Sequence, residues 1–504
     1  MQSRTANAKR NIKWALLQRM LFVICPFFIR AILISTFSSE YLGLSGLCTS
    51  ILTVLNMAEM GFSSAVLFCL YKPVAENDSK TISALMTFFK GIYKCIGVFV
   101  LLSGSIVAFF LEDLIKGNIP DDINIYVVFY LFLMNTSASY LLWGYKSTLL
   151  LAHQRNDIDS KIITTTYFIQ YLLQAVAILV FENYYFYAAS LLISTLIANI
   201  IRKYIADRLY PIRNQNELVP IEQKKFIGKK VAGAFIQKIC GTTRTSFGPI
   251  FVSMFLGLTQ VAIYDNYLFI ITSIKGTMDI IIVAITTSIG DSIARESESK
   301  NYRDLRKFTF FYSLISGICT VGLLCLFQPF MQIWMGEHYM FSFDTVILLC
   351  LYFYVLTIGD VRSSYIVGAG LWWEGRYRSV FETLVNIILI CLLGYLYGVN
   401  GIICGTTLSV LLVNFFWGNS ILFGNYFKNE SQYVFYKDTA KYFIVTTVAC
   451  AVSFGFTYIV RTQQSVFNLI INLIICLLCT AILYFIVYRN SQFVHDFNHI
   501  IRSK

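Results

Sequence analysis

The chain has 504 residues, of which 57% are apolar and only 13% charged, with a mean hydropathy of +0.65. Soluble chains carry about 25% charged residues, so there is too little charge here to coat the roughly three domains such a length would make. A soluble enzyme is excluded, and so is a disulfide scaffold, because the 13 cysteines are scattered through apolar runs.

A membrane-spanning helix needs about 20 mostly apolar residues. Basic residues (Arg4, Lys9, Arg10, Lys13) precede a first apolar stretch interrupted by Arg19 and Arg30, which predicts a retained helix and no cleaved signal peptide. Predicted spans run over 14–37, 42–70, 91–111, 123–151, 162–181 and 184–201. A polar stretch, 202–230, follows. Eight more are predicted over 231–255, 261–289, 308–327, 343–367, 379–397, 402–423, 442–460 and 466–488. The fold class is thus an all-α polytopic membrane protein of about fourteen helices. The turn at Asn183 and the span holding Glu382 are its weakest points.

The net charge of +12 sits in short segments between these spans, with no continuous basic face and no nucleic-acid motif. With a cytoplasmic N-terminus, thirty of the 40 basic residues fall inside; only Lys116 and Arg461 fall outside. That asymmetry predicts both termini in the cytoplasm.

Shifted by about 219 residues, the sequence aligns with itself. Gln18-Arg19 falls on Gln237-Lys238, and Ala75-Glu76-Asn77-Asp78-Ser79-Lys80 falls near Ala294-Arg295-Glu296-Ser297-Glu298-Ser299-Lys300. Pro26 and Pro249 occupy corresponding helices, four residues out of register. Six helices separate the copies, so the repeat is parallel, and such repeats place a substrate site between lobes near the midplane. The expected organisation is a six-helix lobe at 1–201, a cytoplasmic linker at 202–230, a second lobe at 231–428, and two further helices with a tail at 429–504.

Ionisable residues inside spans are costly and mark function or pairing. They are Arg19, Arg30, Glu59, Lys146, Lys238, Arg244, Asp265, Lys275, Asp279, Asp360 and Arg362. Arg19, Lys146 and Lys238 lie close enough to helix ends for snorkelling to compete with function. Arg19 and Arg30 are eleven residues apart, so they stack on one helix face about 16 Å apart, a ladder for a moving phosphate. Arg244 is placed to face it from the other lobe. The competing reading pairs Arg30 with Glu59. Lys275 and Asp279, four residues apart, are expected to neutralise one another. Asp360 and Arg362 cannot share a face, and Asp265, near an outer end, is expected to be solvated. Either Glu59 or Asp360 would serve a coupling proton or sodium ion. The CxxC of Cys476 and Cys479 lies in an apolar helix without histidines, so no metal or other cofactor is expected. Tyr126, Tyr130, Tyr184, Tyr185 and Tyr187 read as an interfacial belt. No glycine-rich phosphate loop, nucleotide motif or catalytic triad pattern is present, and the predicted outer loops are short, so the chain is not read as an enzyme.

Several stretches resemble a known family. Tyr41-Leu42-Gly43-Leu44-Ser45-Gly46-Leu47, then Ala58-Glu59-Met60-Gly61-Phe62, then Leu70-Tyr71-Lys72-Pro73-Val74-Ala75-Glu76-Asn77-Asp78 resemble the second helix of bacterial oligosaccharide flippases and its exit. Tyr145-Lys146-Ser147-Thr148-Leu149-Leu150-Leu151-Ala152-His153-Gln154-Arg155-Asn156 resembles the end of their fourth, and Val261-Ala262-Ile263-Tyr264-Asp265-Asn266-Tyr267 the start of their eighth. These are the Wzx-like O-antigen, capsule and teichoic-acid exporters of the multidrug/oligosaccharidyl-lipid/polysaccharide (MOP) superfamily, which also holds the MATE transporters. Trp372-Trp373 departs from the more polar turn expected there. The resemblance implies a monomer in the bacterial cytoplasmic membrane that flips undecaprenyl-pyrophosphate-linked oligosaccharide outward by alternating access, beside a polysaccharide polymerase and glycosyltransferases. A cationic cleft of Arg19, Arg30, Lys146, Lys238 and Arg244 would meet the diphosphate. The alternative is an ion-coupled MATE-like antiporter of drugs or metabolites. The excess of intramembrane basic over acidic residues favours the anionic cargo.

Overall fold

Backbone polar groups in lipid must be satisfied within the segment itself, so long apolar runs become helices. The computed structural model describes residues 4–59, 62–117, 119–211, 219, 221–371, 373–460 and 466–493, and among them there are helices and no strands. The first half runs α1 (Arg4–Thr36), α2 (Ser39–Leu55), α3 (Phe62–Ala75), α4 (Ser79–Ala108), α5 (Ile125–Leu141), α6 (Lys146–Ala152), α7 (Asn156–Leu179) and α8 (Tyr184–Leu209). The second runs α9 (Ile221–Leu256), α10 (Leu258–Arg295), α11 (Glu298–Trp334), α12 (Phe343–Ile358), α13 (Asp360–Gly368), α14 (Arg376–Ser409), a π-helical stretch Val410–Trp417, and α15 (Gly418–Asn425). Two appended helices, α16 (Gln432–Ile459) and α17 (Val466–Tyr488), complete the chain.

Ten of the described helices are long and apolar enough to cross a membrane, eleven if α5 and α6, bent by 49°, form one span. The difference between this count and the expected fourteen has local reasons. The predicted span 42–70 is broken by a 3₁₀ turn at Asn56–Glu59. The predicted pair 379–397 and 402–423 is present as two helices that meet at Gly398, where the backbone turns with φ +58°. They pack on one another, Asn386 donating to Ser409 at 2.9 Å, and the count of ten takes them as one stretch. α9 carries Thr242-Thr243-Arg244-Thr245-Ser246 and is not among the ten. The segment read as a linker, 202–230, is helical at both ends. α8 continues to Leu209 because Arg202 and Ala206 are buried along it, and α9 already begins at Ile221.

The duplication is visible in the helix caps. Asp78 caps α4 and Ser297 caps α11, 219 residues apart, each accepting from a backbone N–H of the first turn. The fourth helix breaks in both halves, between α5 and α6 and at Gly359 between α12 and α13. By contacts the chain divides into units Met1–Ala262 and Ile263–Lys504, so α9, expected with the second lobe, packs in the first unit on α2 and α3.

Close helix crossings use small residues, as expected where apolar side chains gain nothing by leaving lipid. A Cβ on Gly43 would collide with the carbonyl oxygen of Leu258, whereas one on Gly91 would meet nothing within 4 Å. Gly43→Val is therefore expected to cut folded protein in the membrane several-fold, and Gly91→Val to leave it unchanged. Immunoblotting of detergent-stable protein checks this; equal levels would contradict the packing. In the second unit α17 buries Asn468, Asn472, Cys476, Thr480, Tyr484 and Tyr488, one every four residues. Gly317 of α11 leaves room for the Tyr484 hydroxyl, which also meets Thr446 of α16 at 3.3 Å.

Candidate functional site: guanidinium groups and two carboxylate junctions

α1 packs on α2 and α7, while α9 packs on α2 and α3, so α2 touches both arginine-bearing helices. Each of the two contains a proline, Pro26 and Pro249. Arg19, Arg30 and Arg244 are all half-buried. Counted back from the ends at Thr36 and Leu256, Arg30 lies roughly 9 Å, Arg244 roughly 18 Å and Arg19 roughly 26 Å along their helices. The three residues thus lie at different distances from those helix ends. Arg244 Nη2 lies 3.7 Å from Cys240 Sγ, on a helix that buries Thr242, Thr243 and Ser246. A guanidinium offers two parallel N–H groups to phosphate oxygens, so such a series suits an anionic head group moving along it. Lys238 lies in α9, but its side chain is outside the described residues.

Lys146 opens α6 and is ion-paired with Asp207 of α8. Arg362, in the first turn of α13, is fully buried. Its guanidinium donates to the Asn414 backbone carbonyl, to Asn414 Oδ1 at 2.7 Å and to Ser363 Oγ at 3.0 Å. Gly418 is required there, since a Cβ would overlap Nη1 of Arg362. Asn414 Nδ2 in turn donates to Glu382 Oε2 at 2.9 Å, and Arg378 lies 3.8 Å from the same carboxylate. Both basic residues thus tie the helix after a break to the sixth helix of their own half. Sequence reading missed this network and the buried Arg202–Asp159 pair at 2.7 Å. The lone Glu382 within a predicted span was the available signal.

Two carboxylates sit at helix breaks. Glu59 ends the 3₁₀ turn between α2 and α3, where Ser63 Oγ and the Tyr93 hydroxyl, at 3.1 Å, donate to it. No ion pair joins Glu59 to Arg30 among the described residues, so the competing structural pairing is not formed. Asp360 begins α13 and accepts from Tyr312 at 2.8 Å and from Lys275 at 3.1 Å. Lys275 also pairs with Asp279, as its spacing predicted. Asp265 is half-buried in α10, where a solvated outer residue was expected. Of the expected tyrosine belt, Tyr184 and Tyr187 are buried, and Tyr184 donates to the Tyr41 carbonyl at 2.8 Å. Cys476 and Cys479 lie in α17, and no metal-holding group exists among the described residues.

A cavity of about 400 Å³ lies between α11, α12, α16 and α17, lined by Gln328, Phe343, Phe454, Asn468 and Asn472, among others. It holds none of the ionisable residues above.

No family model and no curated protein sequence matches the chain. Solved structures do. An inward-facing multidrug resistance MATE family transporter of the MOP superfamily matches with a TM-score of 0.62 at 13% identity, over 80% of this chain and 97% of that one. The lipid II flippase MurJ in an inward closed conformation matches with 0.65 at 15% identity, over 95% and 99%. The Vibrio cholerae MATE transporter VcmN in the bent form matches with 0.52 at 13% identity, over 84% and 96%. This multi-pass membrane chain therefore has the fold seen in the MATE transporters and in the lipid II flippase MurJ.

Proposed function

We propose that the chain flips an undecaprenyl-pyrophosphate-linked oligosaccharide from the cytoplasmic to the outer leaflet, for synthesis of a cell-surface polysaccharide. The observation that carries this reading is the placement of Arg19, Arg30 and Arg244 at different distances along two helices of one unit. A diphosphate brings two or more negative charges that must cross a medium of low dielectric constant, and successive guanidiniums replace its water at each step. The fold shared with a lipid II flippase supports a lipid-linked cargo. The excess of basic residues in the predicted cytoplasmic loops supports a bacterial cytoplasmic membrane location with both termini inside. The flippase would work as a monomer, receiving cargo from glycosyltransferases and delivering it to a polymerase.

The second reading, an ion-coupled antiporter of drugs or metabolites, draws on the carboxylates Glu59 and Asp360 at helix breaks, which suit cationic cargo. Depleting the protein in its own host separates the two. The flippase reading expects surface polysaccharide to disappear and lipid-linked oligosaccharide to accumulate on the cytoplasmic face. Unchanged polysaccharide with new sensitivity to toxic cations would replace it with the antiporter.

A further inference from the structure

The starts of α11 and α16 and the end of α17 come together at one end of the second unit. Tyr302, Arg306 and Phe310 recur every four residues along α11 and so share one face of it. Asp438 and Tyr442 have the same spacing on α16, and Arg306 Nε donates to Asp438 Oδ2 at 2.7 Å, joining the two helices. The Phe310 ring lies 5.6 Å from that of Tyr442 and 5.2 Å from that of Tyr488, the last residue of α17. These residues line a cavity of about 440 Å³, within the roughly 300–1,000 Å³ typical of small-molecule sites. It shares no residue with the cavity at the opposite ends of the same helices.

The lining carries donors that the protein itself does not use. Tyr442 and Tyr488 are only 6% and 4% exposed, yet neither hydroxyl has a hydrogen-bond partner among the described residues. Arg306 spends Nε on Asp438, and its guanidinium lies 5.8 Å from the rings of both Tyr302 and Phe493. Its two Nη groups make no hydrogen bond among the described residues. At the rim Arg303 and Lys441 are exposed and form no ion pair there, and Lys441 Nζ sits 5.6 Å over the Tyr488 ring. The lining thus has three basic side chains against two carboxylates, Glu430 and Asp438, the second already paired. Unused donors so far outnumber acceptors that the matching ligand is an anion rich in acceptor oxygens. Its depth points the same way. α17 has 23 residues, about the length that crosses a bilayer, so Tyr488 at its end lies level with lipid headgroups.

We propose that this cavity holds a phosphate ester, the headgroup of an anionic phospholipid, and that the headgroup ties α16 and α17 to α11. The phosphodiester accepts from Arg306, Arg303 and Lys441, as in other basic pockets between membrane helices. A glycerol headgroup adds hydroxyls that pair with those of Tyr442 and Tyr488 and donate to Glu430. Choline in its place would bring a further cation to a lining that already has an excess of them. The orientation proposed above puts this lipid in the cytoplasmic leaflet. The site is separate from the arginines of α1 and α9 and independent of the cargo.

The purified full-length chain in an uncharged detergent would be titrated with short-chain phosphatidylglycerol, short-chain phosphatidylcholine and inorganic phosphate. Bound lipid is read by native mass spectrometry and stabilisation by the thermal unfolding midpoint. Phosphatidylglycerol is expected to raise the midpoint and to bind at least about tenfold more tightly than phosphatidylcholine. Arg303→Gln with Lys441→Gln should weaken it at least about tenfold, since each change removes a hydrogen bond from a charged donor. Lys437→Gln with Arg489→Gln removes the same charge from exposed residues outside the cavity and should leave binding unchanged. If inorganic phosphate alone gives the full rise, and loses it in the first double variant, the site holds a soluble phosphate and the lipid assignment falls. No binding of phosphatidylglycerol, equal binding of the two lipids, or equal loss in both double variants would overturn the site altogether. The comparison of lipids needs no variant to fold. Neither readout involves transport, so failure here leaves the flippase reading untouched.

Discussion

Arg30→Ala and Arg244→Ala are each expected to abolish polysaccharide export while leaving the protein folded and inserted. Each removes a guanidinium from a half-buried position on a helix that α2 contacts. A hydrogen bond to a charged group contributes about 1.5–3 kcal/mol, so losing one weakens diphosphate binding roughly ten- to a hundredfold. Losing both bonds of a fork weakens it further. Lysine at either position should restore only part of the export, because it keeps the charge and loses the bidentate geometry. Surface polysaccharide and membrane protein level, measured together, separate this from a packing role. Glu59 engages Ser63 and Tyr93 and not Arg30, so Glu59→Gln should not rescue Arg30→Ala. Rescue of abundance by that double substitution would make Arg30 a structural residue.

Arg362→Met is expected to have the largest effect on stability. Its guanidinium is fully buried and holds both the backbone carbonyl and the side chain of Asn414 in the π-helical stretch. Removing one partner from a buried charged network costs roughly 3–5 kcal/mol. Here it also frees Asn414, whose Nδ2 donates to Glu382 at 2.9 Å. Arg362→Lys should fail as well, since one ammonium cannot reproduce the fork that spans Asn414 and Ser363. Arg376, stacked 4.0 Å over Trp373 on the surface, is the control, and Arg376→Ala should be neutral. Thermal unfolding in detergent reads the difference. A normal midpoint for Arg362→Met would show that the network carries no stability.

What the sequence made legible follows from the range of each interaction. Span positions, the duplication at about 219 residues and the Lys275–Asp279 pair depend on local composition or on helical spacing, and all three are present. Asp360 joining that pair depends on α10 and α13 meeting, and Lys146 meeting Asp207 bridges 61 residues. No periodicity reports such meetings. The break at Asn56–Glu59 was hidden because its neighbours are apolar enough to read as one continuous span. The π-helical stretch was hidden for a related reason: its sequence, Val-Leu-Leu-Val-Asn-Phe-Phe-Trp, has the composition of any buried helix. Its only outward sign is Asn414, whose role depends on an arginine 52 residues earlier. Tyr184 and Tyr187 were read as interfacial from their position near a predicted turn, but the adjoining helices close over them.

The role of these arginines is tested most directly by reconstituting the purified chain into liposomes with a fluorescent undecaprenyl-pyrophosphate-linked oligosaccharide and following the label's protection from an added glycosidase. The unaltered protein should move the sugar between leaflets, and Arg30→Ala with Arg244→Ala in one chain should reduce that movement to the rate of protein-free liposomes. Equal transfer by the doubly substituted chain, or transfer of a toxic organic cation in place of the lipid-linked sugar, would contradict the account.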